Sequence, residues 1–167
     1  SGTIGDHGIA IMSQREGLQF SLPVGSDCAP LNKLVADMIK TLDIIHCLRD
    51  PTRGGLATTL NEFAGQSQVG IRIEEENIPV QEPVRAACEL LGFDPLYVAN
   101  EGKLVAIVAE AGADRILATI RNNHYGADAA IIGEVVKEHP GRVVMRTMLG
   151  ANRIVDMLVG ELLPRIC

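Results

Sequence analysis

The sequence predicts an α+β fold in which a mixed β-sheet carries helices layered on it. Helical and strand-like hydrophobic periods alternate along most of the 167 residues, and two strand-like segments follow each other near the end. With 47% hydrophobic and 22% charged residues, the composition is that of an ordinary globular domain. Neither an internal repeat nor a low-complexity tract divides the chain, so we expect one domain over residues 1–167.

Two helices and a buried strand are predicted in the first third of the chain. Asp6 is placed to cap a helix that ends at Gly17, since Asp is a common N-cap and Gly a common stop. Apolar residues recur at helical spacing from 31 to 42 and predict an amphipathic helix. The Ile-rich segment 43–48 is short and apolar, which favours a buried strand that ends before Pro51.

Helices and strands continue to alternate through the middle of the chain. The apolar residues of 56–64 lie on one helical face, and those of 69–74 alternate with polar ones as in a half-exposed strand. Similar periods predict a helix at 82–91 closed by Gly92, a buried strand at 103–109 and a helix at 113–121. Two strands at 129–137 and 142–147 follow, joined by a hairpin turn at His139-Pro140-Gly141.

The last segment is predicted to leave the fold. Gly160 and Pro164 interrupt the apolar pattern of 152–163, so we interpret this segment as extended rather than helical. Because proline cannot continue a helix and termini are commonly disordered, we expect residues 160–167 to form a mobile tail that ends in Cys167. A thiol on such a tail can travel between partners.

Charge and composition exclude several classes of partner. The net charge is −6 without a basic cluster, and there are only two Tyr, three Phe and no Trp, so we exclude nucleic acid. No apolar run approaches the roughly 20 residues of a membrane span, and nothing at the front resembles a signal segment, so we expect a cytoplasmic protein. The chain begins with Ser-Gly rather than Met. A preceding segment is therefore expected to be missing.

The cysteines do not form a metal-binding or disulfide pattern. Cys28, Cys47, Cys88 and Cys167 lack the two-residue spacing of zinc or redox pairs, and cytosolic thiols stay reduced, so neither kind of site is expected. Cys47 and Cys88 lie in apolar segments and are interpreted as small buried side chains. This interpretation leaves Cys167 as the exposed thiol.

The four histidines are scattered, and no pair has the i, i+4 spacing of metal ligands on a helix. His46 lies inside an apolar strand and is interpreted as a hydrogen-bonded core residue. His7 is interpreted as a surface residue at a helix start, with a phosphate contact as the alternative. The histidines therefore predict no metal centre.

The segment Asp50-Pro51-Thr52-Arg53-Gly54-Gly55 joins a predicted strand to a predicted helix. Backbone N–H groups at the start of a helix bind anions, and glycines let a ligand approach the backbone. Arg53 can add a charge-assisted contact, while Asp50 can hold a metal-bound phosphate or orient Thr52. The alternative is structural: Thr52 caps the helix, and the two glycines make the turn.

Asn100-Glu101-Gly102 stands directly before a predicted buried strand. Side chains at the ends of such elements are held rigidly and still reach solvent, so Glu101 is a candidate general base. The alternative is a solvated carboxylate in a glycine turn.

Four segments of the chain together resemble the HypE family, the carbamoyl dehydratases that mature nickel–iron hydrogenases. They are Gly5-Asp6-His7-Gly8, residues 50–56, residues 100–104 and the terminal Pro164-Arg165-Ile166-Cys167. The Asp-x-Thr-x-Gly-Gly pattern is shared with AIR synthetase, selenophosphate synthetase and thiamine-monophosphate kinase relatives, whereas the terminal Pro-Arg-Ile-Cys is far more specific. The resemblance covers the whole chain, which corresponds to the C-terminal half of those proteins.

The resemblance implies the α/β/α-layered C-terminal domain of the AIR synthetase superfamily, partly ferredoxin-like in topology. In this family the C-terminal cysteine, here Cys167, receives a carbamoyl group from the carbamoyltransferase HypF. ATP then activates the carboxamide oxygen, loss of phosphate gives a thiocyanate, and the cyano group passes to iron on the HypC–HypD complex. Glu101 matches the catalytic glutamate, and residues 50–55 would line the phosphate side of the site.

The resemblance also implies that a domain in front of this chain is absent from it. In the family that N-terminal domain forms a homodimer and supplies most of the site for ATP and Mg²⁺. We therefore expect this half alone to be inactive. Two alternatives stay open: a protein-interaction module whose tail is a docking peptide, and another ATP-dependent enzyme of the superfamily, such as a selenophosphate synthetase. A terminal thiol speaks against the selenophosphate synthetase.

Overall fold

The computed structural model of the chain describes residues 1–17 and 23–158. The predicted mobile tail at 160–167, including Cys167, lies outside the described residues. Five α-helices and six strands are found in the described part of the chain. The helices are α1 (Asp6–Glu16), α2 (Asn32–Met38), α3 (Gly55–Ser67), α4 (Glu82–Leu91) and α5 (Ala113–Arg121). The strands are β1 (Ile45–Arg49), β2 (Gly70–Glu74), β3 (Val105–Val108), β4 (Gly133–Val136), β5 (Val143–Arg146) and β6 (Asn152–Val155).

The six strands of the described residues form two sheets. A four-stranded sheet has the order β4-β2-β5-β6, in which β2 and β5 are parallel and the other neighbours antiparallel. β1 and β3 form a separate antiparallel pair, with a bulge between Ile45 and Cys47. The predicted α+β fold with a mixed sheet is confirmed, although the strands divide into two sheets.

The core consists of three apolar clusters, each between helices or between helices and a sheet. The largest joins α3 to the four-stranded sheet, the second joins α2 and α5 to the β1–β3 pair, and the third lies between α1 and α4. In β2 the predicted alternation is confirmed: Ile71 and Ile73 are buried, whereas Arg72 is exposed and pairs with Glu134 of β4. This alternation fixes which face of the sheet covers the core.

The hairpin predicted at His139-Pro140-Gly141 is wrong. β2 lies between β4 and β5, so the connection from β4 to β5 passes the end of β2, where the Gly141 N–H donates to the Val69 carbonyl at 2.8 Å. Turn residues indicate where a chain reverses, but the partner of a strand is decided by contacts that are distant in sequence.

β5 and β6 form a hairpin instead. The Thr147 N–H donates to the Ala151 carbonyl at 2.8 Å, and Gly150 has a left-handed φ of 81° that suits the turn. The extended conformation predicted from residue 152 onward is confirmed for Asn152–Val155. β6 completes the core, since Val155 has no exposed surface.

Three local predictions differ from the structure. Asp6 begins α1 but does not cap it, because the preceding Gly5 takes the N-cap position in the left-handed region at φ 83°. The helix predicted at 31–42 is α-helical only over Asn32–Met38 and continues as a 3₁₀ helix over Ile39–Ile44. His46, predicted in the core, is exposed on β1 beside the bulge.

Candidate active site

Three of the segments singled out in the sequence meet at the side chain of Asn100, which has no exposed surface. Its Nδ2 donates to the Pro51 carbonyl at 2.9 Å and to the Val98 carbonyl at 3.1 Å. Its Oδ1 accepts the Gly5 N–H at 2.8 Å. One amide therefore joins the segments 5–8, 50–55 and 100–102. Sequence reasoning assigned Asn100 no role, although an amide that directly follows the apolar segment 95–99 is a signal for a buried, fully bonded side chain.

The 50–55 turn leads from β1 into α3. Pro51 is buried against Asn100, Asp50 and Arg53 are exposed, and Thr52 is half-buried. Thr52 does not cap α3; its carbonyl accepts the Gly55 N–H at 3.1 Å, and Gly54 is the N-cap. Neither Asp50 nor Arg53 forms an ion pair or a side-chain hydrogen bond within the described residues. Both charged side chains are thus left open to a ligand.

The two glycines of this turn serve close packing. A Cβ atom at Gly55 would lie 2.5 Å from the Leu96 carbonyl oxygen and 2.6 Å from that of Val98. A Cβ atom at Gly54 would lie 2.1 Å from Oγ1 of Thr58, a buried hydroxyl without a hydrogen-bond partner in the described part of the chain. Gly55 therefore brings α3 against the 95–98 segment, and its N–H group is already bonded.

The side chains of this turn suit a phosphate or Mg²⁺, whereas the Gly55 N–H already donates a hydrogen bond within the turn. An exposed carboxylate, a threonine hydroxyl and an exposed guanidinium follow one another at Asp50, Thr52 and Arg53. Oxygen ligands suit Mg²⁺, and a guanidinium suits phosphate. Among residues 1–17 and 23–158, no three His, Cys, Asp or Glu side chains come together as metal ligands.

Glu101 lies on the loop that follows Asn100. It is half-buried, and its N–H donates to Oδ1 of Asp27 at 3.0 Å. Within the described residues its carboxylate forms no ion pair or hydrogen bond. A carboxylate of this kind, held through its backbone and not neutralised by a neighbour, can accept a proton from a bound group.

Asp6 lies beneath the site with 2% of its surface exposed. Oδ2 accepts a hydrogen bond from the Thr3 hydroxyl, and Oδ1 has no hydrogen-bond partner in the described residues. Burial raises the pKa of Asp6, and the Thr3 bond and the Lys103 charge oppose this shift. The negative charge of Asp27 adds to the rise in the pKa of Asp6. The fold therefore buries the Asp6 carboxylate at a cost in stability, one residue after Gly5, whose N–H donates to Asn100.

His7 lies close to Ser26 and Cys28, the two residues that flank Asp27 in the chain. His7 is 8% exposed, its Nδ1 is 2.8 Å from the Ser26 hydroxyl, and Cys28 Sγ is 3.7 Å from the same nitrogen. The interpretation of His7 as a surface residue is therefore wrong. The interpretation that left Cys167 as the exposed thiol is also wrong in part, because Cys28 is exposed.

Cys88 and Cys47 were both predicted to be buried, and the structure confirms this fully for Cys88 and partly for Cys47. Cys88 is buried, as predicted, and burial raises the pKa of its thiol to about 11. Cys47 is half-buried, and partial burial raises the pKa of its thiol as well. Neither thiol is suited to act as a nucleophile at neutral pH.

A cleft of about 210 Å³ opens beside the Glu101 loop. Its lining includes Asp27, Cys28, Gly102, Lys103, His124 and Asp128. The cleft joins the 26–29 and 102–103 segments to the 124–128 segment that follows α5.

In the described part of the chain, every helix is too short or too polar to cross a membrane.

The layered α+β fold and the meeting of these segments define an AIR synthase-related domain. The chain belongs to that family, since the model of the AIR synthase related protein, C-terminal domain, matches residues 1–146. Within this class the chain is similar to HypE proteins, which confirms the resemblance seen in the sequence. It is 58% identical over 167 residues to carbamoyl dehydratase HypE of Azotobacter vinelandii and 58% identical over 168 residues to that of Rhizobium leguminosarum bv. viciae.

All of this chain aligns with those two relatives, but it covers 49% and 48% of their lengths. The chain therefore spans about half the length of the curated relatives it matches. Among solved structures, hydrogenase maturation protein HypE superposes with a TM-score of 0.95 at 52% identity, over 99% of this chain and 54% of that one.

Two further structures are complexes. HypE in complex with ATP superposes with a TM-score of 0.94 at 51% identity, over 99% of this chain and 51% of that chain. The HypE–HypF complex gives a TM-score of 0.89 at 50% identity, over 93% of this chain and 50% of that chain.

Proposed function

We propose that this chain is the C-terminal half of an ATP-dependent carbamoyl dehydratase that makes the cyanide ligand of nickel–iron hydrogenases. The observation that carries the proposal is the junction at Asn100, which ties the 50–55 turn to the loop of Glu101, whose carboxylate has no partner within the described residues. The relatives from Azotobacter vinelandii and Rhizobium leguminosarum, which align with the whole chain, are named carbamoyl dehydratase HypE, and this name supports the proposal.

In the proposed reaction, Cys167 carries a carbamoyl group as a thiocarbamate. Bound ATP supplies a phosphoryl group to the carboxamide oxygen, so that this oxygen can leave as phosphate. Phosphorylation of the oxygen releases ADP and makes the nitrogen acidic, so one of its two N–H protons is lost to solvent and an imidate with a C=N–H group remains. Glu101 accepts the second proton while the C–O bond breaks, and the electron pair of that N–H bond forms the third C–N bond. The products on the chain are a thiocyanate at Cys167 and a protonated Glu101, which then returns its proton to solvent. Proton transfer to a positioned carboxylate is a task suited to Glu101.

Asp50, Thr52 and Arg53 are the residues of this half that would contact the phosphates and Mg²⁺. The two charged side chains among them are exposed and not engaged within the described residues, which supports this assignment. Gly54 and Gly55 shape the turn that carries those side chains. An N-terminal half of the full-length protein would supply most of the nucleotide site, and a similar HypE structure that contains ATP supports nucleotide binding.

The proposed reaction also determines which partner proteins the enzyme would need. The carbamoyl group would come from HypF, and the similar HypE–HypF complex supports that contact. The cyano group would pass to iron on a HypC–HypD complex, and the N-terminal half would form a homodimer. The reaction is proposed to occur in the cytoplasm.

The test of the carrier role compares two cysteines in the full-length enzyme: the exposed Cys28 and the proposed carrier Cys167. After incubation with HypF, carbamoyl phosphate and ATP, the Cys28→Ala variant should gain the mass of one carbamoyl group or of its dehydrated product. The Cys167→Ala variant should gain none. Because Cys28 is exposed, it is the matched control for nonspecific modification. If the Cys167→Ala variant were modified as fully as the Cys28→Ala variant, the carrier role would fail. If neither gained mass, an interaction module would be the better account.

A further inference from the structure

Glu101 lies on a loop that neither a helix nor a strand supports. Residues 99–104 lie between the 3₁₀ turn at Pro95–Tyr97 and β3. Among the residues that the structure describes, one side chain accepts the hydrogen bonds from the tip of this loop, Glu101 and Gly102. Oδ1 of Asp27 accepts the N–H of Glu101 at 3.0 Å and the N–H of Gly102 at 3.3 Å. Two successive N–H groups directed at one oxygen form a concave anion-binding site.

The segment that carries Asp27 also packs directly on this loop. A Cβ atom at Gly102 would lie 1.8 Å from the Asp27 carbonyl oxygen and 2.6 Å from the Ala29 nitrogen. Only glycine lets the two backbones approach this closely. The Asp27 carboxylate therefore acts on the Glu101 peptide across a tight contact between segments that are 74 residues apart.

Asp27 has one unfavourable feature at this position. Its Oδ2 is buried and has no hydrogen-bond partner in the described residues, and its charge lies near the buried Asp6. Burying an acceptor without a partner is unfavourable. Hydrogen bonds from N–H groups to a carboxylate are shorter and stronger than those to a neutral oxygen. These hydrogen bonds offset the unpaired oxygen of Asp27 and fix the conformation of the Glu101 loop.

We propose that Asp27 is a positioning residue for dehydration, because its Oδ1 fixes the Glu101 backbone and thereby the place from which Glu101 accepts the proton. This inference rests on the proposed function of Glu101. A displacement of about 1 Å at a reacting group can cost on the order of 10²-fold in rate. Asp27 itself does not touch the carbamoyl group.

The test measures single-turnover conversion of the carbamoylated full-length enzyme to the thiocyanate. Asp27→Ala should slow this step by roughly 10- to 100-fold, with the extent of carbamoylation and the KM for ATP unchanged. Asp27→Asn keeps an oxygen acceptor at the same place and should stay within about threefold of the unaltered rate, which is the conservative rescue. If Asp27→Asn were as slow as Asp27→Ala, or Asp27→Ala as fast as the unaltered enzyme, the proposal would be overturned.

A double-mutant cycle separates positioning from general damage. In a Glu101→Gln background, Asp27→Ala should slow the step by less than about twofold further, because the group it positions no longer acts as a base. Full additivity of the two effects would contradict the proposal. Asp94→Ala is the matched control, since Asp94 Oδ1 accepts the Leu96 N–H at 3.0 Å without touching the Glu101 loop. It should leave the rate unchanged.

Two further outcomes are distinguishable. If Glu101→Gln itself ran at the unaltered rate, the proposed role of Glu101 would fail, whatever Asp27 does. If Asp27→Ala did not fold, Asp27→Glu would take its place, because the longer side chain keeps the charge but shifts the accepting oxygen. Asp27→Glu should also slow dehydration at intact carbamoylation, and an unaltered rate would overturn the proposal.

Discussion

Asn100 connects three distant segments through one side chain, and this makes it the residue on which the site depends. Removing its amide leaves the Gly5 N–H and the Pro51 and Val98 carbonyls without their partner. Each buried group left unpaired costs about 1–3 kcal/mol. Asn100→Ala should therefore lower the free energy of unfolding by roughly 3 kcal/mol or more.

Denaturant unfolding of the chain measures this effect. The control is Asn123→Ala, since the half-buried Asn123 accepts a single N–H, that of Tyr125, at 3.0 Å. Losing one such bond should cost about 1 kcal/mol. Equal losses at the two positions would show that Asn100 is not a special junction.

Asp6 gives the chain a pH-dependent stability of unusual sign. Burial raises the pKa of Asp6 above its ordinary value of 3.8, so between those two values the folded chain binds the proton more tightly than the unfolded chain. The contribution of Asp6 to the free energy of unfolding is therefore greatest at low pH and falls as pH rises through its raised pKa. Asp6→Asn should remove this dependence while keeping an acceptor for Thr3.

The measurement is the difference in unfolding free energy between the parent and Asp6→Asn as pH rises from about 4 to 7. The stability of Asp6→Asn relative to the parent should rise progressively across this window. Asp128→Asn, at an exposed position, provides the comparison. A difference that did not change with pH would contradict the burial account of Asp6.

At the scale of elements, the start of α3 depends on a contact that only glycine allows. Gly55 has a φ of 62°, and its α-carbon faces the Leu96 and Val98 carbonyl oxygens. Gly55→Ala should therefore cost about 2–4 kcal/mol through overpacking and left-handed strain.

Gly65→Ala, in the same helix, is the matched control. A Cβ atom at Gly65 would meet nothing within 4 Å, so alanine there should stabilise the chain by about 0.5–1 kcal/mol. Thermal and denaturant unfolding of the two variants gives the comparison. Similar changes in stability at both positions would mean that the close approach of α3 to the 95–98 segment is not required.

The elements themselves were largely predictable because their signals are local. The apolar face of α5 and the alternation in β2 are set by neighbours in the sequence, as is the closure of α4 by Gly92, and all three predictions are confirmed. Strand pairing was not predictable in the same way. The placement of β2 between β4 and β5 depends on contacts between residues that are 60 to 72 positions apart, which a local turn sequence does not encode.

The candidate site shows the same division between local and distant information. Glu101 and the 50–55 turn were recognisable because their residue types and positions at element ends are local features. The roles of Asn100 and Asp27 depend on bonds to residues 49 and 74 positions away, so the sequence did not reveal them. The predictions for the two histidines are wrong for opposite reasons. His46 has apolar neighbours in sequence but is exposed beside the bulge of β1, and His7 has polar and glycine neighbours but is buried at the start of α1.

For the whole molecule, the proposed function makes the described residues one side of a reaction centre. Its proposed chemical groups, Asp50, Thr52, Arg53 and Glu101, are all exposed or half-buried rather than enclosed in a cavity. The relatives that the chain matches are about twice as long. Under the proposed function, a further part of such a chain would complete the site. The proposed function therefore has to be tested on the full-length enzyme.

The most direct test follows the mass of the full-length Glu101→Gln variant after carbamoylation and addition of ATP. The amide keeps the shape of the side chain but removes the base, so carbamoylation should be complete while the loss of one water slows by about 10²–10⁴-fold. The account predicts that the carbamoyl adduct accumulates in this variant and that the unaltered enzyme proceeds to the thiocyanate. Conversion of Glu101→Gln at the unaltered rate would contradict the central claim that Glu101 is the base.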